Sequence, residues 1–271
     1  MVTRPIIAIT MGDPAGIGPE VVAKALAQDE VWEVCRPLVV GDADTLSRAA
    51  ALVDPASTGL TLHAITYVER ARFERATPDV FDLGAVDVDV APGRVSAAAG
   101  QAAVACIKQA TALALSGQVV GFVTGPINKA ALQAAGCPYI GHTELLAALT
   151  GAERVTTMLA TPGLRVVHVT RHLPLAKVAA QITRQRVLQT LRLTDAGLRE
   201  MGVPRPQVAV TCPGGQCQGA ALNPHGGDEG LLGREEIEEI GSAVAAARTE
   251  GIAAHGPIPA DSFLSRHSGR V

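Results

Sequence analysis

The chain has 271 residues, enough for one large domain or two lobes with a substantial buried core. It is 48% hydrophobic, 18% charged and only 3% aromatic, with a formal net charge of -3. That composition lacks the basic footprint and the stacking rings of a nucleic-acid binder, and no apolar run approaches the roughly 20 residues of a membrane span.

From the N-terminus, Met1 to Thr10 carries one arginine and a short apolar stretch, without the length or cleavage pattern of a signal peptide. Ile6 to Thr10 reads as a strand ending in a glycine-rich turn, and Pro19 to Gln28 as a helix with proline in its first turn. Pro37 to Val40 is a second strand, closed by Gly41-Asp42; residues 50–93, with several Pro, Gly and Asp, carry no clear period. Ser96 is the expected N-cap of an alanine-rich helix to Leu115. Val119 to Thr124 is a buried strand pattern, followed by Gly125-Pro126 and a helix near Lys129 to Ala135.

Two more strands are expected at Val155 to Ala160 and Leu164 to Thr170, then helices at about 174–182 and 184–201 and a strand at Gln207 to Thr211. A glycine-rich loop covers 213–230. A charged helix from Arg234 to Thr249 follows, with Glu235, Glu236, Glu238 and Glu239 placed to suit its dipole. The alternation predicts an α/β fold with a largely parallel sheet, whose ligands meet the carboxyl ends of the strands. The five cysteines, Cys35, Cys106, Cys137, Cys212 and Cys217, are odd in number and scattered, which suits a reducing, cytoplasmic compartment.

Five motifs sit at predicted strand ends. Met11-Gly12-Asp13-Pro14-Ala15-Gly16-Ile17-Gly18-Pro19-Glu20 joins a strand to a helix, either as an anion-binding turn or as a tight turn without a ligand; its spacing is neither a dinucleotide fingerprint nor a Walker loop. In Thr124-Gly125-Pro126-Ile127-Asn128-Lys129, Lys129 offers charge to a phosphate or carboxylate and Asn128 a hydrogen bond, or else Asn128 caps the helix and Lys129 faces water. Gly141-His142-Thr143-Glu144 pairs two different hydrogen-bonding groups, with Thr143 also a candidate cap. Arg171-His172-Leu173-Pro174-Leu175 and Asn223-Pro224-His225-Gly226-Gly227 each place an imidazole where a divalent metal or a purely structural contact would use it.

Together, MGDPAGIGPE, PGRVSAAAG, TGPINK, GHTELL, MLATPGLRVVHVTRHLPL, LNPHGGDEG with GREEI, and GPIPADS occur in the order found in the 4-hydroxythreonine-4-phosphate dehydrogenase family, which the chain resembles over nearly its whole length. The resemblance implies one family domain over 1–271 built of two interleaved α/β lobes, with a fold similar to the isocitrate and isopropylmalate dehydrogenases. It implies a homodimer with active sites at the interface. The implied reaction oxidises a phosphorylated substrate, 4-phosphooxy-L-threonine, with NAD or NADP, then decarboxylates it to 3-amino-2-oxopropyl phosphate for pyridoxal phosphate synthesis. His142 and Thr143 match the family's substrate-contacting pair. His172 and His225 match two of three histidines that hold a divalent metal (zinc, magnesium or cobalt).

Two departures qualify this. The family's third metal histidine lies in a Tyr-His-Asp-Gln-Gly segment downstream of the Pro259-Ala260-Asp261-Ser262 motif, and the given chain ends at Val271 without it; His255 and His267 are not in the matching position. TCPGGQCQG, within Thr211 to Ala220, looks like an insertion ahead of His225. The competing expectations are a dehydrogenase of another phosphorylated hydroxy acid or a dihydrodiol carboxylate, a catalytically silent truncated homologue, and an acyltransferase of the phosphotransacetylase type.

Overall fold

Five parallel strands organise the first of two units into which the chain divides, Met1–Glu153 and Arg154–Val271. The structure, a computed structural model, describes residues 4–53, 61–86, 90–171, 173–212 and 234–259. In the first unit β1 (Ile6–Thr10) lies between β2 (Arg36–Gly41) and β5 (Gly121–Thr124). Beyond β2 come β4 (Asp79–Asp82) and β3 (His63–Ile65), giving the order β3-β4-β2-β1-β5 with every pair parallel. The expected parallel α/β architecture is therefore present. Leu38, Val39 and Val40 are wholly buried, the run of apolar residues a strand needs when both its faces are covered.

Helices α1 (Gly18–Leu26), α2 (Asp29–Val34), α3 (Ala43–Val53), α4 (Ala97–Leu115), α5 (Lys129–Ala134) and α6 (His142–Thr150) complete this unit. Ser96 caps α4 as expected, its hydroxyl accepting from the amide of Ala99 at 3.1 Å. Alanine and glycine let α4 approach α5 closely; a Cβ on Gly100 would meet the carbonyl of Ala131 at 2.1 Å. Four elements of this unit, α2, α3, β3 and β4, went unread in the sequence. α2 has six residues, too few for a helical period, and β3 and β4 have three and four, too few for alternation. Asp42, read as part of a turn, instead caps α3 by accepting from the amide of Thr45 at 2.7 Å.

A buried carboxylate holds the far edge of this sheet. Asp79 is fully buried and accepts from the amides of Arg72 (3.0 Å) and Phe73 (2.7 Å), with the Nδ1 of His63 at 2.7 Å. These bonds hold Phe73 at φ 54°, a conformation that bulky residues rarely adopt.

In the second unit β6 (Met158–Thr161) and β7 (Leu164–Val167) form an antiparallel hairpin. The sequence reading placed two longer strands here within a parallel sheet. That expectation fails because two residues, Pro162 and Gly163, separate the strands, whereas a parallel crossover needs a dozen or more. α7 (Leu175–Val178) and α8 (Arg184–Glu200) follow, and β8 (Gln207–Cys212) pairs in parallel with β9 (Ala253–Pro259), a strand the sequence reading missed. The charged helix begins as a π-helical stretch, Glu236–Gly241, and continues as α9 (Ser242–Thr249). Val187, Leu191, Ile240, Val244 and Ala254 form this unit's core. No helix among the described residues is long and apolar enough to cross a membrane.

Candidate active site

The loops after β1 and β5 leave adjacent parallel strands at their carboxyl ends and are bonded to each other. The amide of Asp13 donates to the carbonyl of Pro126 at 2.9 Å, and the amide of Gly125 to that of Thr10 at 3.0 Å. Gly12 has φ +81°, and a Cβ there would lie 2.4 Å from the Pro126 carbonyl oxygen. Asp13 folds back on its own loop, accepting from the amide of Ala15 at 2.8 Å. Met11 to Ala15 are all buried, and Gly16 and Ile17 are the exposed positions of the turn. The motif is a tight, packed turn between β1 and α1. Behind it, Glu20 in the first turn of α1 has a buried carboxylate oxygen, Oε2, with no hydrogen-bond partner among the described residues.

In the loop after β5, Asn128 is spent on capping. Its Oδ1 accepts from the amides of Ala130 (2.9 Å) and Ala131 (3.2 Å), and Lys129 is exposed. α6 packs against α4 and begins at His142, with Gly141 as its N-cap. Thr143 is the second residue of the helix, so the expectation that its side chain caps α6 is corrected. The Nε2 of His142 is buried and has no hydrogen-bond partner among the described residues. Burial lowers the pKa of this imidazole below the ordinary 6.5, keeping it neutral near pH 7. A neutral ring with one nitrogen unused is suited to hydrogen-bond a ligand group of either polarity. Thr143 is half-buried beside it in sequence.

His172 and His225 lie outside the described residues, as does the 213–233 stretch with its insertion. The residue before His172 is anchored: Arg171 donates to the Thr157 hydroxyl at 2.5 Å and to the Val155 carbonyl at 3.4 Å. Two other described histidines, His63 and His255, have different work. His63 meets Asp79, and the Nε2 of His255 lies 2.9 Å from the Oε1 of Gln207. Among the described residues no group of three His, Cys, Asp or Glu can hold a metal ion. Cys106 is no nucleophile, since burial pushes its thiol up to about 12.

The sequence reading missed the isolation of Glu236. It assigned this residue to the helix dipole along with its neighbours, yet Glu236 is 2% exposed and its Oε1 has no hydrogen-bond partner among the described residues. The signal available was its spacing. Ile240 and Glu236 lie four residues apart and are buried on the same side.

These features define an α/β protein of the class whose ligands meet the carboxyl ends of parallel strands. The chain belongs to the family described as pyridoxal phosphate biosynthetic protein PdxA, whose profile matches residues 33–270. It is similar to the D-threonate 4-phosphate dehydrogenase of Cupriavidus necator, 42% identical over 263 residues, covering 97% of this chain and 75% of that protein. The 4-hydroxythreonine-4-phosphate dehydrogenase of Desulforapulum autotrophicum is 40% identical over 263 residues, covering 96% of this chain and 74% of the relative. A crystal structure of 4-hydroxythreonine-4-phosphate dehydrogenase from Klebsiella pneumoniae superposes with a TM-score of 0.86 at 40% identity, covering 99% of this chain and 78% of that one.

Proposed function

We propose that this protein is an NAD- or NADP-dependent dehydrogenase that oxidises and decarboxylates 4-phosphooxy-L-threonine to 3-amino-2-oxopropyl phosphate, in pyridoxal phosphate biosynthesis. The observation that carries this reading is the family match over residues 33–270. It is supported by a relative named for that activity at 40% identity. We read residues 1–271 as one family domain, acting as a cytoplasmic homodimer with its active site at the subunit interface. The free thiols of Cys35, Cys106 and Cys137 support a reducing compartment.

In this reading His142 and Thr143 bind the substrate. The neutral imidazole of His142 uses its unpartnered Nε2 as a hydrogen-bond handle on a substrate oxygen or nitrogen, in a half-buried setting that limits competition from water. His172 and His225 hold a divalent cation, zinc, magnesium or cobalt, which when bound lowers the pKa of the substrate hydroxyl it polarises. A bound nicotinamide would supply the hydride acceptor that oxidation of the carbinol carbon needs. The resulting β-keto acid loses carbon dioxide, and the enol takes up one proton to give the ketone product. The bonds between the β1 and β5 loops keep the carboxyl edge of the sheet rigid, as substrate positioning requires.

A second reading is favoured by the 42% identical relative named for D-threonate 4-phosphate. That compound carries a hydroxyl where 4-phosphooxy-threonine carries an amine. The test is NAD and NADP reduction by the full chain with each substrate, in the presence of zinc, magnesium or cobalt. The first reading expects the higher kcat/KM for 4-phosphooxy-threonine. A preference of more than about tenfold for D-threonate 4-phosphate, about 1.4 kcal/mol in transition-state binding, would establish the second. No reduction with either would overturn both.

A further inference from the structure

Helices α1 and α4 both begin at the carboxyl edge of the first unit's sheet, and one bond ties their approaches together. The amide of Gly93, shortly before the Ser96 cap of α4, donates to the carbonyl of Ala15 at 2.7 Å, shortly before the Ile17 cap of α1. Three aliphatic side chains stand in water around this bond: Ile17 is 66% exposed, Val95 53% and Val21 45%. Residues three and four apart are neighbours on a helix surface, so Glu20 and Val21 both flank Ile17. Glu20 is half-buried, and its Oε2 accepts no hydrogen bond among the described residues. Arg94, next to Val95, is exposed. Gly16 and Gly93 are exposed as well and carry no side chain, so a flat ring can approach the backbone closely there.

We propose that this corner binds the adenosine half of the dinucleotide, with NAD favoured over NADP. The inference rests on the dehydrogenase reading above and adds where the cofactor is held. Ile17, Val21 and Val95 offer aliphatic contact to the faces of a base, as apolar linings do in small-molecule sites. Three such side chains are too few for a protein partner, whose interface covers about 800 Å² on each side. The Glu20 carboxylate is an acceptor suited to ribose hydroxyls, the work an acidic residue does in other dinucleotide sites. Its negative charge repels the 2′-phosphate that distinguishes NADP. Arg94 supplies the opposite charge for the pyrophosphate. Adenine has no reacting atom to align, so apolar contact suffices for it, whereas the nicotinamide must be aligned with the carbinol carbon.

Isothermal titration of the full chain with NAD, NADP and ADP-ribose tests this, since ADP-ribose keeps the adenosine half and the pyrophosphate but lacks the nicotinamide. NAD and ADP-ribose should bind with dissociation constants within about tenfold of each other, and NADP at least about tenfold more weakly than NAD. Ile17→Glu and Arg94→Ala should each weaken ADP-ribose at least about tenfold, and Glu20→Gln should bring NADP to within about threefold of NAD. Leu52→Glu places the same new charge on an exposed position of α3 and should leave all three constants unchanged. Urea midpoints by Trp32 fluorescence show that each variant is folded. A wild-type chain that binds neither NAD nor NADP would overturn the dehydrogenase reading and this inference together. NAD binding with the affinity for ADP-ribose unchanged in both Ile17→Glu and Arg94→Ala would overturn the inference alone, and so would wild-type binding of NADP as tight as that of NAD.

Discussion

The backbone amide of Asp13 donates to the carbonyl of Pro126 across 2.9 Å, joining two loops more than a hundred residues apart in the chain. That bond requires the Gly12 backbone to pass against Pro126, where φ of +81° and a 2.4 Å approach exclude a side chain. Gly12→Ala should destabilise the first unit by about 2–4 kcal/mol, combining the left-handed penalty with a steric clash against backbone. Urea unfolding followed by Trp32 fluorescence checks this, because Trp32 is the chain's single tryptophan and sits in that unit's core.

Asp79→Asn replaces a fully buried acceptor of two backbone amides and an imidazole by a group with one acceptor oxygen. We expect a loss of about 2–4 kcal/mol. His63→Ala should cost less, about 1 kcal/mol, because Asp79 keeps both amides. Equal losses in the two variants, by the same Trp32 signal, would show that the histidine and not the Arg72–Phe73 turn is the main partner.

Asn128 caps α5, so its replacement should be felt in stability and not in turnover. Asn128→Ala should cost about 1 kcal/mol, and Asn128→Ser, which still caps, a few tenths. A large drop in kcat/KM for the serine variant would return Asn128 to the binding residues.

The imidazole of His142 titrates below its ordinary value of 6.5 because it is partly buried. The unfolded chain therefore takes up a proton more readily than the folded one. The stability contributed by this group is present above about pH 6.5 and is lost as pH falls toward the lower folded value. His142→Gln should flatten that part of the decline, measured as the change in urea midpoint between about pH 7.5 and about pH 5.5. With substrate, His142→Ala should raise KM by about 10- to 100-fold, the loss of one well-placed hydrogen bond.

His172→Ala and His225→Ala should each lower bound divalent metal, read by elemental analysis, and lower kcat/KM by more than about 100-fold. Metal content unchanged in both variants would remove them as ligands.

Much of the fold was legible in the sequence where local rules act alone. The run Leu38–Val40, the Ser96 cap and the alanine-rich α4 were all readable, because periodicity and capping depend on residues within a turn or two. Strands β3 and β4 were not, being too short to show a period. The hairpin's antiparallel sense was available from its two-residue turn but was overridden by the surrounding parallel pattern.

For the candidate site, the sequence by itself determined which residue types stand at which strand ends and, through the order of its motifs, the family to which the chain belongs. Only the tertiary structure decided which of those groups remain free. Asp13 is turned back onto Ala15 and Asn128 onto the start of α5, while the Nε2 of His142 and one oxygen of Glu20 are left without partners among the described residues. The physical reason is that whether a polar atom is satisfied depends on what packs around it. Those neighbours come from other strands and helices, as Pro126 comes to Asp13. No local pattern in the chain encodes that meeting.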